Sequence, residues 1–82
     1  MGTDEFIMTA RQRIAEWMQE GNHPFDGSAY NVWHAYVLGN HKGIFGMDSP
    51  DGFLFEVTWH ADTKQLYLDV YDQLHHFSIN RF

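Results

Sequence analysis

The chain has 82 residues, a formal charge of −6, 17% aromatic residues and no cysteine. A chain of that length holds one domain with one modest core, and its apolar content argues against disorder. Five basic residues against eleven acidic ones supply no basic patch, which disfavours direct nucleic-acid binding and favours a basic partner surface. Without cysteine there is no disulfide frame, thiolate metal site or thiol nucleophile, as suits a reducing compartment.

MGTDEFIMTARQ, at the start, carries acids where a signal peptide needs bases, and Phe6 stands where myristoylation needs Ser or Thr. No apolar run approaches the ~20 residues that cross a bilayer. The expectation is a soluble, cytoplasmic protein without membrane contact.

Residues 4–20 are predicted as a helix, with Thr3 as cap and Asp4 and Glu5 in the first turn, where the helix dipole favours acids. Ile7, Ala10, Ile14, Trp17 and Met18 recur at helical spacing on one face. Arg11, Gln12, Arg13 and Glu16 form the solvent side, and Gly21-Asn22 with Pro24 beyond them end the helix. GNHPFDGSA (21–29) reads as a loop.

From Tyr30 onward the period changes to two, predicting strands at 31–38, 43–48, 53–60 and 65–72. The expected turns are Gly39–Lys42, Ser49–Gly52, with Pro and Gly placed for a type I turn, and Ala61–Lys64. Connections this short make antiparallel neighbours. Residues 73–82 are open between a fifth strand through His76–Ile79 and a short helical turn. The fold class is therefore α+β: one domain over 1–82, an N-terminal helix packed on a four- to five-stranded antiparallel meander.

These turns imply a register, and the register sorts the side chains. One face would carry Trp33, Ala35, Val37, Ile44, Phe53, Phe55, Val57, Trp59, Leu66, Leu68 and Val70, the core beneath the helix. The other would carry Tyr30, Val32, His34, Tyr36, Phe45, Met47, Leu54, Glu56, Thr58, Tyr67, Asp69 and Tyr71. One helix covers one face, so the second, aromatic face is either a contact surface or is covered by Phe77, Ile79 and Phe82 folding back.

Glu56 falls opposite Asp69 in this register. Like charges directly opposite destabilise a strand pair. Three readings follow: a carboxylate pair with one raised pKa, an anchor for a partner's Lys or Arg, or local neutralisation by Arg11, Arg13, Lys42, Lys64, Arg81 or tyrosine hydroxyls.

Metal and catalytic motifs find no support. His23, His34, His41, His60, His75 and His76 form no His-x-His or His-x-x-x-His pair. No serine lies in a nucleophile elbow and no glycine loop cradles phosphate. The DSPDG stretch lacks the spaced ligands of a calcium loop. The expectation is no catalytic residue, no metal and no cofactor. A small metal-dependent enzyme using Glu56, Asp69 and His34 stands as the remote alternative.

The segments YNVW (30–33), LGNHK (38–42), DGFLFEVT (51–58) and YLDVY (67–71) resemble a family of small proteins from bacteriophages and prophages of Gram-positive bacteria, known only as a domain of unknown function. The likeness spans nearly the whole chain. The family carries Trp, Lys and two acids where Trp33, Lys42, Glu56 and Asp69 stand. The chain departs from it in a less lysine-rich tail and in its extra histidines.

The resemblance implies a phage origin and no activity. Small acidic phage proteins commonly bind a host protein, and inhibitors of defence nucleases such as anti-CRISPR proteins are one instance. The expected function is such a non-enzymatic binder of a basic host protein. Its contact residues would be Tyr30, His34, Tyr36, Phe45, Met47, Glu56, Tyr67, Asp69 and Tyr71. The alternative is a self-associating accessory protein that uses the same face in a homodimer.

Overall fold

A computed structural model describes residues 1–50 and 52–71 in full and residues 76–80 by their backbone. Helix α1 (Thr3–Glu20) precedes strands β1 (Asp26–Val37), β2 (Asn40–Asp48), β3 (Leu54–His60), β4 (Gln65–Tyr71) and β5 (His76–Asn80). The strands form one antiparallel sheet in the order β1-β2-β3-β4-β5, and α1 packs on one face. The α+β meander is as expected. Residues 76–80 extend the sheet beside β4 rather than lying across a face. Phe82 lies outside the described residues.

The cap of α1 is Gly2, in extended backbone, and not Thr3; no side chain caps the helix. At the other end Asn22, at φ +57, turns the chain left-handed. His23 N–H donates to Met18 O at 2.9 Å and Asn22 N–H to Gln19 O at 3.1 Å. Two such bonds closing over a left-handed residue make a Schellman stop. Phe6, Ala10, Ile14 and Met18 are buried, while Ile7 and Trp17 pack at the margin. Phe6 was absent from the expected helix face.

Two features of the sheet differ from the expected turns, and the second overturns the predicted faces of β1 and β2. The first hairpin turns at Leu38-Gly39, with φ +52 and +84, and pairs Val37 with Asn40. Positive φ at both positions is the two-residue type I′ geometry. Asn40 and His41 therefore belong to β2, not to the turn.

The second feature is the β2–β3 connection. Gly46 stands opposite Leu54, a register that sets Met47 rather than Asp48 towards Phe53, while Asp48 ends β2 opposite Asp26 of β1. Gly52 N–H donates to Ser49 O at 3.2 Å, and Gly52 sits at φ +66. The expected four-residue loop would have paired Asp48 with Phe53. One residue of slip flips every side chain of the strand, and of the strand paired to it.

The core face consequently carries His41, Gly43, Phe45 and Met47 of β2 in place of Ile44. Phe45 is fully buried and Met47 nearly so. Phe55, Val57, Leu66, Leu68 and Val70 are buried as expected, and Trp59 is partly buried. Trp33, Ala35, Val37 and Ile44 move to the far face, with Lys42, Glu56 and Thr58.

A bulge accompanies the flip in β1. Asn31 pairs with Phe45 and Trp33 with Ile44, leaving Val32 as the extra residue. Asn31 Nδ2 braces it by donating to Trp33 O at 2.9 Å and to Ile44 O at 3.3 Å. β1 also begins earlier than expected and buries Ala29.

Candidate functional site

The far face is the candidate site, and its membership differs from the expected one. Tyr30, Glu56, Tyr67, Asp69 and Tyr71 lie there as anticipated, by register with Gly46 and across the β3–β4 pair. His34, Tyr36, Phe45 and Met47 do not, because the slip carries them to the helix side. Phe45 and Met47 are core residues, and Tyr36 packs edge-on against His41 with its ring centroid 4.7 Å away. In their place the far face gains Trp33, Val37 and Ile44. No described segment covers it: Trp33 is 50% exposed, Val37 63% and Leu54 43%.

At its acidic end Glu56 stands directly opposite Asp69. Lys42 Nζ lies 3.7 Å from Glu56 Oε2, and Tyr71 Oη donates to Glu56 Oε1 at 3.5 Å. The pair is thus tolerated by local neutralisation. One ammonium from β2 and one phenol from β4 flank Glu56. Tyr67 Oη is directed instead to Gln65 Oε1 at 2.7 Å. Partial desolvation, then the charges of Glu56 and Asp69 and the hydrogen bond to Glu56, raise the Tyr71 pKa above the ordinary tyrosine value.

At the apolar end the β1–β2 hairpin and β3 form a shallow depression of about 330 Å³. Trp33, Ala35 and Val37 wall one side, Lys42, Thr58 and His60 the other. The His60 ring stands edge-on to Tyr67, centroids 5.0 Å apart, and joins the two ends. Asn40 Oδ1 accepts from Ala61 N–H at 2.8 Å, which ties the hairpin to the β3–β4 turn and fixes the rim.

The enzymatic alternative loses its geometry here. His34 lies on the helix side, across the sheet from Glu56 and Asp69. Its Nε2 is 2.9 Å from His41 Nδ1, and His41 Nε2 is 2.8 Å from Met1 O. A carbonyl oxygen only accepts, so His41 Nε2 carries hydrogen; in the neutral ring Nδ1 then accepts from His34. His41 is 1% exposed and stacks on Phe6 at 4.9 Å. This histidine pair pins the start of α1 to the sheet. The sequence reading put His41 in a turn and missed it; the alternation His41, Gly43, Phe45, Met47 was the signal that could have found it. Among the described residues no group of three or more His, Cys, Asp or Glu converges to hold a metal.

Residues 7–81 match a family of unknown function, DUF6275, and the chain belongs to that family. No curated protein and no solved structure matches. No helix among the described residues is long and apolar enough to cross a membrane.

Proposed function

We propose that this protein is a non-enzymatic binding module, encoded by a phage or prophage, whose far sheet face grips one host protein in the bacterial cytoplasm. The observation that carries the reading is the open far face. A 9.7 kDa protein leaves Trp33, Val37, Leu54 and Tyr30 exposed on one side of its sheet. Exposed apolar patches rimmed by polar groups mark contact sites, and Trp and Tyr dominate interface energetics.

The chemistry of the rim points to a partner with basic groups. Glu56 and Asp69 sit together beside the apolar patch, and Lys42 reaches Glu56 only at 3.7 Å from half-exposed solvent. Carboxylates beside an apolar patch suit a partner's arginine, whose fork matches a carboxylate. Counter-defence, in which the protein occupies the nucleic-acid channel of a host nuclease, is the specific form this reading takes, because such channels are lined with Lys and Arg.

The test is retention of host proteins on the immobilised chain. Trp33→Glu and the pair Glu56→Gln/Asp69→Asn alter the far face; Met8→Glu alters an exposed helix position, 70% open. A single protein kept by wild type and Met8→Glu, and lost with both far-face variants while each stays folded, supports the proposal. Retention that the far-face variants leave unchanged refutes it.

A further inference from the structure

We propose that the free edge of β1 pairs with the same edge of a second copy, joining two five-stranded sheets into one continuous sheet across a two-fold axis at Ala35. The inference stands apart from the partner reading, since edge pairing leaves both far faces open.

β1 is an edge strand of 12 residues, Asp26–Val37. An edge presents unpaired N–H and C=O groups, and natural sheets blunt it with lysine, proline or inward-pointing charge. β1 has none of these; its one charged residue is Asp26, at the far end. It is broken instead by two register shifts, one between Asp26 and Tyr30 and the bulge at Val32, which confine regular geometry to Trp33–Val37.

That run is symmetric about its centre. Val37 and Asn40 flank a two-residue turn and form the hydrogen-bonded pair, so alternation directs the N–H and C=O of Tyr36 and His34 outwards. Antiparallel pairing centred on Ala35 sets His34 against the second copy's Tyr36, and Tyr36 against its His34, with backbone bonds from both pairs. It sets Trp33 against the other copy's Val37 on the far face. These are aromatic–aromatic and aromatic–β-branched pairs, the favourable cross-strand classes. Ala35 meets Ala35 at the axis, with no bulk to hold the strands apart.

Charge selects a second copy as the occupant. The molecule carries −6, which opposes self-association through most of its surface. Trp33–Val37 contains no charged residue, so two copies meet here without like charges opposed. At ~3.4 Å per residue the paired run Trp33–Val37 is about 17 Å long, a short strip of the size found in weak, transient contacts. The dimer should be weak, with a Kd on the order of 0.1 mM.

Sedimentation velocity across a concentration series tests this. Wild type should pass from monomer to dimer. Ala35→Glu places a carboxylate opposite Lys42, its cross-strand partner, which suits the monomer. In the dimer it opposes two carboxylates at the axis and should weaken association at least about tenfold. Ala35→Lys should do the same, and the two variants mixed should associate with each other. Tyr36→Pro removes one outward N–H and should also abolish the dimer; it carries the test if Ala35→Glu does not fold. Wild type remaining monomeric to millimolar concentration overturns the inference. So does a dimer that folded Ala35→Glu or Tyr36→Pro leaves intact.

Discussion

Replacing Gly43 by alanine adds one methyl group on the helix side of β2, where the space is already taken. A Cβ built there stands 2.8 Å from Phe45 Cε1, 3.2 Å from Phe6 Cε2 and 3.4 Å from Asn31 Nδ2. Both rings are fully buried and pack against each other, centroids 6.3 Å apart, so neither swings away freely. Overpacking of this kind costs ~1–3 kcal/mol. Alanine in place of a strand glycine returns roughly 0.5–1 kcal/mol. The net loss should be about 1–2 kcal/mol, a fall in Tm of roughly 5–15 °C for a domain this small. Thermal and urea unfolding followed by circular dichroism measure it.

Two companions give that number its meaning. In Gly46→Ala the nearest atoms to the new methyl belong to the Tyr30 ring, at 2.5 Å, and Tyr30 is 54% exposed; it can move aside, so stability should hold within about 0.5 kcal/mol. Ile44→Ala removes a half-buried far-face side chain and should cost about 1 kcal/mol. If Gly43→Ala were neutral and Ile44→Ala cost several kcal/mol, the helix would lie on the other face of β2, and the register argued here would be wrong.

Four more measurements follow from the structure. Leu38 is 91% exposed at φ +52, so Leu38→Asn should raise stability by about 1 kcal/mol; a loss would mean the leucine makes a contact in solution. His41→Ala empties a buried site and breaks both bonds of the histidine pair, and should cost ~2–4 kcal/mol, with faster amide exchange in the first turn of α1. Phe6→Ala should cost ~3–5 kcal/mol, and a cost below 1 would unseat the helix from its place on β2. Tyr71 has its pKa raised above the ordinary tyrosine value, first by partial desolvation and then because Glu56 and Asp69 oppose the phenolate. Its raised folded pKa contributes stability that is full below the unfolded value and lost as pH rises through the folded one. Glu56→Gln should move that titration to lower pH by absorbance at 295 nm; an unchanged curve would separate Tyr71 from the acids.

Local chemistry made much of the architecture legible. The amphipathic spacing of residues 4–20, the change of period at Tyr30 and the short turns led to one helix on an antiparallel meander. The four-residue Ala61–Lys64 connection also placed Glu56 opposite Asp69 correctly, because both flanking strands pair symmetrically around it. What the sequence left open was decided by single residues acting over distance. A one-residue shift in the β2–β3 register reversed β2, and β1 with it, which sent Trp33, Val37 and Ile44 outwards and drew Phe45 and Met47 beneath α1.

Both registers of β2 offer an apolar face: Ile44 on one side, Phe45 and Met47 on the other. Alternation alone therefore could not choose between them. Tertiary packing chose, because Gly43 leaves room for Phe6 to settle on the sheet and His41 finds Met1 O and His34 only on that side. The sequence by itself determined the elements and their order, which rest on local periodicity and turn chemistry. Which face meets the helix, and so which residues are left to meet a partner, was settled only by the fit of the helix against the sheet.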